Sequence, residues 1–351
     1  MPIPATTVSA RYGLGVLLVA SALLASPARA AERERLTIYT AIEAEQIAWI
    51  GSAIERAVPG VELVWVRGST GVMTDRLLAE RHGPGADLAF GLAASSLILL
   101  KQAGVLESYR PVGADALRSF FRDPNPPYAW TGMDAYLGAI CFNTERASAE
   151  RAARPVLWRD LLAPEMKGRI AMPDPVASGT GFLLVSGWLQ SMGEAAGWRF
   201  MDALDAQVAA YFPSGTAPCR EAVDGRVIAG LSFDMRAATE KAKGAPIDIV
   251  VPLDGVGWEQ EAFAIVAGTS HGVAARRIAD WASSREASEI YARSFAIVAY
   301  PGVSNPSAVY PAHAEARMAR SDPAWKAMNR DRILAEWTRR YGAKAARTGL
   351  P

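Results

Sequence analysis

Short apolar runs and segments of helical period alternate along the first third of the chain. Leu36–Thr40 has the length and β-branched or aromatic content of a strand. In Ala44–Ala57, Ile47, Ile50 and Ile54 recur at spacings of three and four, which predicts a helix that Pro59-Gly60 ends. Val61–Val66 predicts a second strand, Val72–Glu80 a second helix, Ala86–Phe90 a third strand and Ser96–Gln102 a third helix. Strand and helix in alternation imply a parallel sheet covered by helices.

The pattern changes near residue 120. Asp123–Pro127 reads as a rigid loop, and Tyr136–Phe142 is an apolar run ending at Asn143. A second α/β stretch follows: strand Arg169–Met172, helices Gly181–Gln190 and Glu194–Leu204, and strands Val227–Ser232 and Ile247–Pro252. Strand Ala262–Val266 and helix Ala274–Ala282 come next. Near the end, Arg330–Tyr341 places Ile333, Leu334 and Trp337 on one helical face. Two α/β units predict two lobes with a cleft between them, where loops at the carboxyl ends of strands meet a ligand.

The start of the chain departs from this pattern. Residues 1–30 hold Arg11 and Arg29 and no acidic residue, and Leu14–Ala25 (LGVLLVASALLA) is too short to span a bilayer. Pro27-Ala28-Arg29-Ala30 has the small residues of a signal-peptidase site. We expect residues 1–30 to be a cleaved signal peptide and the protein to be periplasmic; the alternative is a retained anchor. No Cys follows the apolar run, so a lipoprotein is not expected. The longest later apolar run, Leu88–Leu100, is interrupted by Gly91, Ser95 and Ser96.

Charge and composition narrow the class. Half of the 351 residues are hydrophobic, which fits a folded protein. Cleavage after Ala30 would remove two of the 37 basic residues and none of the 36 acidic ones, turning the formal charge from +1 to −1. That balance offers no basic surface for nucleic acid. Three histidines and two cysteines leave little for a metal cluster, so neither metal nor cofactor is expected. In an oxidising compartment Cys141 and Cys219 can form a disulfide, the alternative being two buried thiols.

Four predicted strand–helix loops are rich in small hydroxyl residues: Gly68–Gly71, Ala93–Ser96, Ala177–Gly181 and Ser214–Pro218. Each sets free backbone N–H groups, a hydroxyl and the positive end of a helix together, a combination that binds anions without a cationic side chain. Taken singly, each loop reads first as helix capping; the four together favour an oxyanion ligand. None is a phosphate-binding P-loop or a dinucleotide fingerprint. Glu43 and Glu45, Asp234, Glu259 and Glu261 could supply a carboxylate for a cationic group, Trp130 or Trp258 an aromatic cover for it, and Arg236 a partner for an anion. His82, His271 and His313 stand near no nucleophile motif, and no enzymatic activity is expected.

An ordered set of segments from Leu36 to about Val303 resembles the periplasmic 2-aminoethylphosphonate-binding proteins of ABC importers, a group related to the ferric-iron binders. It runs through Tyr39–Ala44, Arg67–Gly71, Gly91–Ser96, Trp130–Asp134, Cys141–Thr144, Ser178–Phe182, Pro218-Cys219 and Gly257-Trp258. The resemblance implies a two-lobed α/β periplasmic-binding-protein-like fold of type II, with the ligand cleft between the lobes. Residues 31–139 plus 255–305 would form lobe 1 and 140–254 lobe 2. Residues 306–351 would be C-terminal helices packing on both. It also implies a monomer that delivers an aminophosphonate to a membrane permease and ATPase. Ser69, Thr70, Gly71, Ser95, Ser96, Ser178, Gly179, Thr180, Ser214 and Thr216 would lie at the phosphonate, with Arg236 as a possible counter-charge. Glu43, Asp234 or Glu261 would meet the amine beside Trp258. Ferric-iron binders are similar but carry adjacent tyrosines where Phe233-Asp234-Met235 stands here, which disfavours iron. The alternatives are a binder of another small organic anion or phosphate ester, and an exported hydrolase of such compounds.

Overall fold

From Arg33 the chain follows the predicted alternation: β1 (Glu34–Thr40), α1 (Ala44–Ala57), β2 (Val61–Arg67), α2 (Thr70–Ala79), β3 (Leu88–Ala93) and α3 (Ala94–Gln102). β1 lies between β2 and β3 and is parallel to both. The computed structural model describes residues 1–7, 9, 33–294, 297–304 and 309–348. The apolar run and cleavage pattern of the predicted signal peptide lie outside the described residues; Met1–Thr7 and Ser9 have no regular secondary structure.

The middle of the chain holds β4 (Thr131–Asn143), α4 (Thr144–Glu150), β5 (Ile170–Pro173), α5 (Gly179–Met192), α6 (Glu194–Asp205), β6 (Val208–Phe212), α7 (Ala217–Val223), β7 (Ala229–Phe233), α8 (Asp234–Ala242) and β8 (Ile247–Val250). It closes with β9 (Trp258–Ile265), α9 (Gly272–Ala282), α10 (Arg285–Tyr291), β10 (Ile297–Val298) and α11 (Pro323–Thr348).

β4 organises the sheet. Thr131–Leu137 pairs antiparallel with β9, while Gly138–Phe142 pairs antiparallel with β7 and Ile140–Asn143 with β8. The strand order is β2-β1-β3-β9-β4-β7-β5-β6, so β4 joins a first half built on β1–β3 to a second half built on β5–β7. All thirteen of its residues are buried. The apolar run at 136–142 marks only its centre, because the flanking Thr131–Asp134 is polar in part and is held by pairing on both edges. β9 likewise begins at Trp258 rather than Ala262, its charged Glu259 and Glu261 being drawn into the ladder. The polar helix α8 and the short strand β6 carry no clear period and are not anticipated by the sequence.

Helix α11, 26 residues and about 39 Å long, ties the halves together. Its Arg330 pairs with Asp75 of α2 and its Arg340 with Asp202 of α6. Trp337 sets its ring edge-on to Tyr211 of β6 at 5.3 Å. Lys326, 1 % exposed, donates from Nζ to the Trp258 carbonyl (2.6 Å) and stands 3.5 Å from Glu259. No helix among the described residues is long and apolar enough to cross a membrane.

Cys141 on β4 and Cys219 on α7 form a disulfide across 78 residues of chain. The loop it closes predicts that Cys141→Ala/Cys219→Ala loses about 4 kcal/mol of unfolding free energy. Denaturant melts of variant and wild type measure the loss.

Candidate functional site

The carboxyl ends of strands from both halves converge on a cavity of about 260 Å³. The first half contributes Ala41, Glu43 and Gln46 after β1, Arg67–Thr70 after β2, Gly91 in β3, Tyr136 in β4 and Glu261 in β9. The second half contributes Ser178–Thr180, Ser214–Thr216 and Phe233. Four helices, α1, α2, α5 and α7, therefore begin at its wall, where the helix itself offers first-turn N–H groups no partner.

The hydroxyl loops of the second half are locked together. Ser178 Oγ accepts from the Gly181 N–H (3.2 Å), capping α5, and the Ser214 and Thr216 hydroxyls are 2.9 Å apart. A Cβ on Gly215 would lie 2.8 Å from Thr180 Cβ, so only glycine lets the two loops meet. The Ser232 hydroxyl donates to the Gly215 carbonyl (2.7 Å) and fixes it from below.

The opposite wall is charged. Arg67 donates from Nε to the Ile42 carbonyl (2.7 Å) and from its terminal nitrogen to Glu43 (2.9 Å). Burial raises the Glu43 carboxyl above its ordinary value, against the pull of Arg67. Glu261 is held well above the usual carboxylate range by desolvation first and then by Asp134, Glu43 and Asp234 nearby. Burial likewise raises the Tyr136 phenol.

The halves also touch directly over the cavity. Gly71 N–H donates to the Ala177 carbonyl (3.2 Å), and the Ser69 hydroxyl to the Pro213 carbonyl (3.1 Å). A Cβ on Gly71 would lie 2.6 Å from the Val176 oxygen and 2.8 Å from that of Ala177. Gly71, expected at the ligand, thus serves the contact between the halves.

Other expected site residues lie elsewhere. The Ser95 hydroxyl donates to Glu259 (2.7 Å), and Ser96 borders a small crevice beside the cavity. Asp234 is fully buried: its Oδ1 accepts from the Leu137 and Met235 N–H groups (both 2.9 Å) and its Oδ2 from the Tyr310 hydroxyl. Burial still pushes that carboxyl up to about 6. It is the post that fixes the start of α8 to β4, and it does not line the cavity. Arg236 faces an adjoining chamber of about 220 Å³, where it pairs with Glu240 and approaches Glu45 (3.5 Å). Trp258 is turned away, its indole donating to the Ala319 carbonyl (2.8 Å). Conversely, sequence reasoning passed over Arg67, Gln46 and Tyr136. Arg67 had a signal, a cation closing a strand just before Gly68-Ser69-Thr70-Gly71; Tyr136 had none, since it looks like core.

Residues 84–328 match the family model of bacterial extracellular solute-binding proteins. An uncharacterized protein of Haemophilus influenzae is 30% identical over 66% of this chain and 67% of its own. A probable ABC transporter periplasmic-binding protein of Sinorhizobium fredii is 26% identical over 80% of this chain and 78% of its own. Among solved structures, the periplasmic binding protein AfuA of Actinobacillus pleuropneumoniae, with exogenous fructose-6-phosphate bound, superposes with a TM-score of 0.82. It is 25% identical and covers 88% of this chain and 98% of its own. The architecture is thus the two-lobed α/β fold of periplasmic binding proteins.

The close approach at Gly71 predicts that Gly71→Ala destabilises this contact between the halves by about 1–3 kcal/mol and weakens ligand binding. Gly83→Ala, where no atom lies within 4 Å, is the control and should bind as wild type. Small-angle scattering of the ligand-saturated proteins reads the difference.

Proposed function

The chain belongs to the bacterial extracellular solute-binding proteins, and from that premise we propose that it is the periplasmic receptor of an ABC importer for 2-aminoethylphosphonate or a close aminophosphonate. One observation carries the reading: the cavity sets neutral hydroxyls and helix N-termini on one wall against Glu43 and Glu261 on the other. A zwitterion with an anion at one end and an ammonium at the other complements that arrangement. Thr180, Ser214, Thr216 and the α5 N-terminus receive the phosphonate oxygens, with Ser69 and Thr70 closing over them. Arg67 is the one cation on the wall and is already tied to Glu43, so it adds attraction without setting the sign of the site. The volume, about 260 Å³, is large enough for a small organic ion of this kind.

In this reading residues 1–30 direct export, the closed receptor is handed to a permease driven by an ATPase, and no chemical step is performed on the ligand. A second reading, an organic phosphate ester, draws on the adjoining chamber of about 220 Å³, which shares Glu43, Gln46 and Phe233 with the main cavity. The fructose-6-phosphate bound to the protein of Actinobacillus pleuropneumoniae is a ligand of that class.

Calorimetry with 2-aminoethylphosphonate, ethylphosphonate, inorganic phosphate and a sugar phosphate separates the readings. The first should bind tightest; equal binding of the first three would remove the amine from the recognition, and preference for the sugar phosphate would favour the ester. Thr180→Val should weaken every phosphonate by about 1–3 kcal/mol through loss of one buried hydroxyl.

A further inference from the structure

Asp134 of β4 is 2 % exposed, and its Oδ1 has no hydrogen-bond partner among the described residues. It stands opposite Glu261 in the β4–β9 register, so both side chains leave the same face of the sheet, and Glu261 lines the cavity. The groups that face the pair are acids and phenols. Asp234 lies behind it at the start of α8, Tyr136 beside it on β4, Tyr291 on α10, Tyr310 after β10, and Glu43 across the cavity. Among the described residues the nearby cations have partners: Arg67 has Glu43, Arg118 has Glu315 and the Val298 carbonyl, Arg236 has Glu240, and Lys326 has the Trp258 carbonyl beside Glu259. A buried carboxylate without a counter-charge keeps its proton or acquires a cation from outside.

We infer that Asp134 and Glu261 form one proton-sharing pair that receives the ammonium group of the ligand, so that binding a cationic ligand expels a proton. The inference rests on the aminophosphonate reading for its ligand and adds Asp134, which lies outside the expected site, as the second carboxyl. Burial and the neighbouring carboxylates hold both groups well above the usual carboxylate range, so a proton is there to be released. An organic ammonium, with its own hydrogen-bond donors, would supply both the counter-charge and a partner for Asp134 Oδ1. The ammonium keeps its own protons, and the one displaced passes to solvent.

Calorimetry at neutral pH in two buffers of different protonation enthalpy counts the protons. Once each count is corrected for that ligand's own phosphonate ionisation, the expected result is about one more proton released with 2-aminoethylphosphonate than with ethylphosphonate, and an affinity that rises with pH by up to about tenfold per unit. In Asp134→Asn the excess should vanish and the preference for 2-aminoethylphosphonate over ethylphosphonate should shrink. Equal counts in the wild type overturn the inference; failure of both ligands to bind strikes the aminophosphonate reading instead. The pair is then decided without ligand. The native state holds a proton that the unfolded chain has lost, so wild-type stability should fall relative to Asp134→Asn as pH rises from mildly acidic to mildly alkaline, Asp234 being common to both. Parallel pH profiles overturn the shared proton whatever the ligand. Should Asp134→Asn fail to fold, Glu261→Gln makes the same comparison.

Discussion

One strand, β4, is shared by two sheets, and the site depends on that sharing. Its first half is laced to β9 and β10, its second to β7 and β8. The change of partner falls between Leu137 and Gly138, where the Gly138 N–H donates to the Gly257 carbonyl (2.9 Å). Asp234 stands at the same place, taking the Leu137 N–H and so fixing the second half's α8 to the strand. Because the strand is continuous through both sheets, the carboxyl ends of β1, β2 and β7 are brought face to face. The cavity is the space left between them, walled by first-turn helix residues from each side.

On the proposed function, that geometry would let a protein of near-zero net charge hold an anion. Backbone N–H groups at helix starts are oriented by the helices themselves and cost little further ordering when a ligand arrives. Ser178 spends its hydroxyl on capping α5, and Gly215 lets its loop lie against Thr180, so contacts within the protein hold the second-half wall in place. The first-half wall is a different medium. Its carboxyls are desolvated and repel one another, a state that an ammonium relieves. On the proposed function, such a site would favour a molecule with two ends of opposite sign over either end alone.

Closure adds a steric condition. The backbone of Gly71 meets the carbonyls of Val176 and Ala177 with no room for a side chain, and the Ser69 hydroxyl reaches Pro213 across the same seam. The Gly71 contact joins the halves away from the cavity lining, while Ser69 stands both at the seam and at the cavity wall. Helix α11 reinforces the join from outside through Arg330 and Arg340.

Local pattern was enough for the β1–α3 alternation and for the four hydroxyl-rich loops, since period and turn chemistry are properties of neighbouring residues. Three of those loops reached the cavity for the same reason: a loop at the carboxyl end of a strand has one place to go. Partnership across the chain was not legible. Whether Glu259 and Glu261 belong to a strand is settled by pairing with β4 and β3, residues more than a hundred positions away. Asp234 and Glu261 look alike in sequence, yet one is spent on backbone N–H groups and a tyrosine while the other opens on the cavity. The sequence by itself determined which chemical groups were available and the kind of fold that would carry them. Tertiary structure alone decided which carboxyls face the ligand, because burial and counter-charge depend on what the rest of the chain packs against them.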